Sequence, residues 1–350
     1  MAIILDTNIL PRWGSINAPH FAAVLAVAKA TGEEVVLPHL VLEESVSARR
    51  RAADVAFEAL SSAHRRASQY SEVVQTYVPS SDEAAEEWRH LLEETFTIVD
   101  TPGDVAINAL LRETHRIRPA RGGRGGRDVA IWLTALHHFS QDQGRTFFVS
   151  ENTKDFGDEK DPTSLHPHLL GESAEIRGDE LIFCTSVDDL IEHLATRVDV
   201  DLDVDAIFQS ADFLGSLRIA IDLDMLPKLA IRKVDASGVL GGELYVTSPV
   251  NIDDVKSKQI RTYRIDQVLY ALVGFNARLT FTVGLLSRSK KQVRELLLTL
   301  SGEIDARCWI QFEMSGSSPV AIDISHIDRA AFVGLDPDYT VVYGRGSVLP

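Results

Sequence analysis

The chain has 350 residues, 45% of them hydrophobic, with two cysteines and a formal net charge of −16. That length suits two domains with a core in each, and the acidic balance excludes a protein that coats nucleic acid by bulk basicity. Cys184 and Cys308 stand far apart in apolar, strand-like runs, which predicts core residues of a protein in a reducing compartment and excludes a metal-binding pair. No basic segment leads into an apolar stretch at the N-terminus, and no run of about 18 apolar residues occurs. The expectation is a soluble, cytoplasmic protein with no membrane partner.

In chain order, Ala2–Ile3–Ile4–Leu5 is an apolar run stopping at Asp6–Thr7–Asn8, the pattern of a fully buried parallel strand. Pro11 and Gly14 interrupt before a helix predicted over 21–30, with Phe21, Val24, Leu25 and Ala28 on one face. Val35–Pro38 is a second strand. A long Ala-, Arg- and Glu-rich helix follows over 40–77, with a break expected near Ser61–Ser62 and with Glu43–Glu44 at its start. Ser80 and Glu83 have capping-box spacing for the next helix, whose apolar face is Ala84, Ala85, Trp88, Leu91 and Leu92.

Phe96–Val99 is a third strand, and Thr101–Pro102 reads as an N-cap and first residue of a helix reaching about Thr114. Six arginines, four glycines and a proline fill 112–127, so most of that stretch is predicted as a loop. Asp128 then opens a helix over 129–139. Thr146–Ser150 is a fourth strand, ending in Glu151–Asn152–Thr153–Lys154–Asp155–Phe156, and Leu181–Cys184 a fifth, followed by a helix over 187–194. The alternation predicts an α/β domain over 1–197, a parallel sheet with helices on both faces. Residues 198–350 turn β-rich, with strands expected at 228–234, 243–247, 261–265, 278–285, 306–312 and 320–324 and a helix over 290–300. This reads as a separate α+β or sandwich-like domain of unknown function.

Four acids stand just past an apolar strand or at the start of a helix: Asp6, Glu44, Asp128 and Asp155. A carboxylate at the C-terminal end of a parallel strand sits where open α/β sheets bind ligands. Mg2+ and Mn2+ take hard oxygen ligands from a few carboxylates plus water and phosphate, and clustered carboxylates themselves favour a cation. Taken singly, most have plainer readings: Asp128 as an N-cap, Glu43 and Glu44 as a solvated helix face, Asp155 as a turn residue. Asp6 is the exception, because a buried strand rarely ends in an acid for packing reasons.

Jointly these segments resemble the PIN-domain family of metal-dependent ribonucleases. The matching text is Ile3–Ile4–Leu5–Asp6–Thr7–Asn8, Leu37–Pro38 with Glu44 six residues on, Arg127–Asp128–Val129–Ala130–Ile131–Trp132 and the stretch from Phe148 to Phe156, within about residues 1–195. The resemblance implies a PIN-like sheet of order 3-2-1-4-5 and metal-dependent endonucleolytic cleavage of single-stranded RNA with Mg2+ or Mn2+. It implies Asp6, Glu44, Asp128 and Asp155 as catalytic metal ligands, with Asn8 helping to hold the pocket and bind substrate. Some members carry an acid where Thr153 stands, so the fourth ligand is Asp155, Asp158 or absent; the second is Glu44 or its neighbour Glu43. Many members are single-domain toxins, which leaves room for an antitoxin-like or other protein regulator and for a homo-oligomer. The alternative is a catalytically inactive PIN-fold module that binds nucleic acid or protein.

The arginine-rich stretch has two readings, a solvated connector or a phosphate-positioning loop in which Arg121, Arg124 and Arg127 bind the substrate backbone. Gly122–Gly123–Arg124–Gly125–Gly126 fits neither a dinucleotide fingerprint nor a P-loop. His137–His138 and His166–His168 lack partners at zinc spacing.

Overall fold

The computed structural model describes residues 2–10, 19–69, 79–141, 144–177, 181–200, 202–211, 213–215, 242–246, 251–265, 268–289, 292–315, 318–324, 328–335 and 340–343. Chain contacts divide it into two units, the first made chiefly of residues up to Ala195 and the second chiefly of those from Thr196 on. Pro11, Gly14 and the strand expected at 228–234 lie outside the described residues.

The first unit opens with β1 (Ala2–Leu5), a short 3-10 turn (Thr7–Ile9), α1 (Pro19–Thr31) and β2 (Glu34–Pro38). Next come α2 (His39–Ala67), α3 (Ser81–Thr95), β3 (Thr97–Val99) and α4 (Gly103–His115). They are followed by α5 (Gly126–Gln141), β4 (Thr146–Val149), the short α6 (Thr153–Phe156), α7 (Pro167–Arg177), β5 (Leu181–Cys184) and α8 (Val187–Leu194). The five strands form one parallel sheet of order β3-β2-β1-β4-β5. β1 is central, and all four of its residues are fully buried, as a strand covered on both faces requires. β4 shows the two faces by alternation. Phe148 packs against Trp132 of α5 and Phe156 of α6 at 5.5 and 5.1 Å between ring centres, whereas its neighbour Phe147 meets His193 of α8 at 6.0 Å.

The capping box forms as its spacing predicts: Ser80 Oγ accepts from the Glu83 N–H and Glu83 returns a carboxylate to the Ser80 N–H. α2 runs through Ser61–Ser62 without a break, since serine costs a helix only tenths of a kcal/mol per residue. Thr101 does not cap α4. Pro102 takes that position without a side-chain bond, and the Thr101 hydroxyl pairs with Thr134 of α5.

The stretch 112–127 is shorter as a loop than its composition suggests. α4 continues to His115 and stops at Arg116 in the left-handed region. α5 begins at Gly126, two residues before Asp128, where Glu113 of α4 accepts the Gly126 N–H at 3.0 Å. A carboxylate there satisfies one of the helix's open donors and suits its dipole. Asp128 is therefore in the first turn of α5, not its N-cap. Ala109 of α4, Ala120 of the intervening turns and Val129 and Ala130 of α5 form a small core beneath them.

The second unit contains β6 (Thr196–Val198), α9 (Val204–Phe208), β7 (Gly242–Val246), β8 (Asn251–Ile265), β9 (Val268–Ser289), β10 (Gln292–Ser315), β11 (Ser318–Ile324), β12 (Asp328–Leu335) and β13 (Thr340–Tyr343). The strands all pair antiparallel in one sheet. β9 and β10 are a long hairpin, paired without a break from Gln292↔Ser289 to Phe312↔Leu269. β7 and β8 follow one another along the free edge of β9; β13, β12 and β11 do so along β10. The helix expected over 290–300 is thus overturned from Gln292 onward by strand pairing. One face of the hairpin is a strict period of two: Leu269, Ala271, Val273, Phe275, Ala277 and Leu279 opposite Ile304, Ala306, Cys308, Ile310 and Phe312, all buried together with Phe208 and Phe213. Cys184 and Cys308 are both buried free thiols. Among the described residues no helix is long and apolar enough to cross a membrane.

Candidate functional site

The site lies at the C-terminal edge of the parallel sheet, where β1 and β4 end side by side. The Asp6 N–H continues the ladder to Val149 O, which sets its carboxyl beside Ser150. Asp6 is 2% exposed and accepts three hydrogen bonds: the Thr7 N–H on Oδ1 at 2.6 Å, and Asn8 Nδ2 and Ser150 Oγ on Oδ2 at 3.0 and 2.6 Å. Asn8 is clamped in turn, its Oδ1 accepting the Glu151 N–H at 2.9 Å. Burial raises the Asp6 pKa, against the lowering by Ser150 and the Thr7 N–H and with a further upward push from Glu44.

Glu44 and Glu43, neighbours on α2, point differently because successive helix residues are turned by about 100°. Glu43 is gripped by both terminal nitrogens of Arg89 on α3, at 2.6 and 2.9 Å, and that pair holds its pKa low. Glu44 faces β1. The Thr7 hydroxyl donates to its Oε2 at 2.7 Å, and Arg127 Nη1 stands 2.6 Å from its Oε1.

Asp128 sits over the same edge from the first turn of α5. Asn152 Nδ2 approaches its Oδ1 at 3.4 Å, and Gly125 lies so close that a Cβ there would meet Asp128 Oδ2 at 3.0 Å, on a backbone with φ +107°. Its pKa is pushed up to about 6, first by burial and then by the charges of Asp6, Asp155 and Glu44, with Arg127 opposing. The charges of Asp6, Asp155 and Glu44 thus all bear on Asp128. The Asp158 carboxylate accepts the Lys160 N–H at 2.6 Å.

Asp155 is carried on α6, which is fastened from the arginine-rich turns. Arg118 is 9% exposed; its Nη1 donates to the carbonyls of Asp155 and Gly157 at 3.3 and 3.4 Å and its Nη2 to Glu159 at 3.1 Å. Arg121 also pairs with Glu159, Arg127 with Glu44, and Arg124 is exposed. The stretch is thus not simply a solvated connector, since Arg118 is part of the scaffold. Behind α5, Glu172 of α7 accepts from Trp132 Nε1 at 2.8 Å and pairs with Arg112 of α4 at 2.8 Å.

A cleft of about 610 Å³ opens from this edge, lined by Asp6, Thr7, Asn8, Glu44, Arg127 and Asp128 and, farther along α2 and α3, by Arg49, Arg51 and Trp88. Sequence reading gave no site role to Thr7, Ser150, Asn152, Arg49 or Arg51, and placed Trp88 only on an apolar helix face. The signal for Arg51 was its position seven residues after Glu44, the same helix face. For Ser150 it was the polar residue ending the strand beside β1.

Residues 3–156 match the profile of the PIN domain. That stretch contains every strand but β5 of the parallel sheet, and all four acids. The chain carries an N-terminal PIN domain. This is a nuclease-type fold, and the PIN domain's usual ions are divalent metals. No curated protein and no solved structure matches the chain significantly. Among the described residues no three His, Cys, Asp or Glu side chains are gathered closely enough to hold a metal ion. By chemistry the donors suit a hard divalent cation, being carboxylates whose mutual repulsion already raises Asp128. By position they are spread, with both Glu44 oxygens engaged by Thr7 and Arg127.

Proposed function

We propose that the PIN domain is a divalent-metal-dependent endoribonuclease that cleaves single-stranded RNA at the edge formed by Asp6, Glu44, Asp128 and Asp155. The observation that carries this is the gathering of Asp6, Glu44 and Asp128 along one cleft, where burial first and then the charges of Asp6, Asp155 and Glu44 push Asp128 up to about 6. Catalytic sites are where such shifts concentrate. Asp6, Glu44, Asp128 and Asp155 would hold Mg2+ or Mn2+, which when bound lowers the pKa of a water and offsets charge at the phosphate.

The chain's own residues supply the frame. Ser150, Asn8 and the Thr7 N–H fix the Asp6 carboxylate, the Thr7 hydroxyl orients Glu44, and Arg118 anchors the backbone that carries Asp155. Arg127 offsets acidic charge beside Asp128. With Arg124 it supplies backbone contacts to the substrate in this reading, and Arg121, neutralised by Glu159, contributes least. The second reading, a PIN-fold module without catalysis, is favoured by the spread of the acids and the Arg127–Glu44 pair.

Incubation of the full chain with single-stranded RNA in Mg2+ or Mn2+ separates the two. The nuclease reading expects internal cleavage that stops with chelator and in Asp6→Asn. Intact RNA under both metals leaves the non-catalytic module.

A further inference from the structure

Three consecutive arginines on α2 have different surroundings. Arg50 reaches α3, its Nε 2.8 Å from Asp82 Oδ1. Arg49 and Arg51 both line the cleft that begins at Asp6 and Asp128. The Arg49 guanidinium lies over the Trp88 ring at 5.0 Å from its centre, and burial lowers its pKa. Arg51 Nη1 donates to Ser47 Oγ at 2.7 Å, one turn back along the helix.

We propose that Arg49 and Arg51 form a phosphate subsite, holding the substrate strand at a linkage neighbouring the one cleaved. The inference rests on reading the acidic edge as the nuclease centre. Seven residues of helix separate Glu44 from Arg51, about 10 Å at 1.5 Å per residue. The cations are thus too far along for the scissile phosphate and are placed for the next part of an extended strand. The cleft's volume suits a drug-sized group, so a nucleotide fits between the two ends. Arginine is the cation matched to phosphate, because its planar fork donates to two oxygens at once. Trp88 holds one fork by stacking and Ser47 the other by a hydrogen bond, so less freedom is lost when phosphate arrives. A helix face needed only for solubility does not require such restraint.

The discriminating experiment uses the full chain with Arg51→Gln, Arg51→Lys and, as control, Arg50→Gln. Cleavage kinetics in Mn2+ are measured on RNA oligonucleotides bearing one neutral methylphosphonate linkage, placed in turn on each side of the cleaved bond. Binding is measured over a salt series in the Asp128→Asn background. Arg51→Gln should raise KM about three- to tenfold, leave kcat within about twofold, and flatten the slope of log affinity against log salt by about 0.7. Arg51→Lys should recover part of the loss. One neutral linkage should weaken wild type more than it weakens Arg51→Gln, which keeps only the Arg49 contact there. Arg50→Gln should behave as wild type. Cleavage with Arg51→Gln indistinguishable from Arg50→Gln in KM and salt slope overturns the subsite and leaves the nuclease standing. A wild type that neither cuts nor binds RNA overturns both. Because Arg49 also packs on Trp88, Arg51 carries the test.

Discussion

The Thr7 hydroxyl donates to Glu44 Oε2 at 2.7 Å, tying the residue after Asp6 to a helix thirty-seven positions later in the chain. This bond fixes where the second acid points. Thr7→Val keeps the shape and removes the donor, so stability should fall by about 0.5–1.5 kcal/mol. Metal-dependent cleavage should fall further than that loss accounts for. Denaturant melts beside single-turnover rates measure the two.

Glu43 and Glu44 should separate under the same substitution. Glu43→Gln breaks a pair with Arg89 on a partly exposed surface and should cost under about 1 kcal/mol, with cleavage retained. Glu44→Gln should abolish cleavage while the chain stays folded. Loss of activity in Glu43→Gln alone would reassign the second ligand.

Asp128 should make stability fall as pH rises. Its folded pKa of about 6 stands above the ordinary 3.8, so between these values the folded chain binds a proton that the unfolded chain has released. The residue costs nothing below about pH 4, and its penalty is complete above about pH 7. Asp128→Asn should therefore be more stable than wild type at pH 7.5, by roughly 1–2 kcal/mol once partial exposure is discounted, and equal to it near pH 3.5. Mn2+ should raise the melting temperature of wild type more than that of the variant.

Asp6→Asn should behave differently although it removes a charge from the same cluster. Asp6 Oδ2 accepts from both Ser150 and Asn8 while Oδ1 accepts the Thr7 N–H. An amide must turn its NH2 towards one of these donors, which costs about 1–3 kcal/mol. In thermal melts at pH 7.5, Asp6→Asn should lie below Asp128→Asn.

Arg118→Ala should be the most damaging change among the arginines of 112–127. It leaves the carbonyls of Asp155 and Gly157 without this donor and Glu159 without one of its cations. An expected loss of about 2–4 kcal/mol contrasts with under about 0.5 for Arg124→Ala. Limited proteolysis near α6 should accelerate in the first and not in the second.

The parallel sheet was legible because its strands are short apolar runs bounded by turn residues, and Leu5–Asp6 and Val149–Ser150 mark the same edge twice. Pairing overrode local pattern in the second unit. Val293, Leu296, Leu297 and Leu300 have helical spacing, yet 292–312 pair with β9 throughout. Polar stretches such as Ser257–Lys258–Gln259 concealed the length of β8, β12 does not alternate, and β13 is only four residues long although all four are strand formers. At the site, the order of the acids could be read from the chain, whereas the Glu113 contact that starts α5 at Gly126 and the inward turn of Arg118 depend on partners distant in sequence.

The shared edges of β9 and β10 make spacing more restrictive than residue identity. β13, β12 and β11 dock at successive positions along β10, while Ile304, Ala306, Cys308, Ile310 and Phe312 face one core. Exchanging one of these for another apolar residue of similar volume should usually cost under about 1.5 kcal/mol. Deleting Ser301 would instead turn all five to the opposite face, because strand side chains alternate with a period of two. It would also put β12 and β11 out of step with β9. This hairpin can therefore diverge widely in sequence across related chains while keeping its length, so relatives should be easier to detect by the spacing of apolar positions than by their identity.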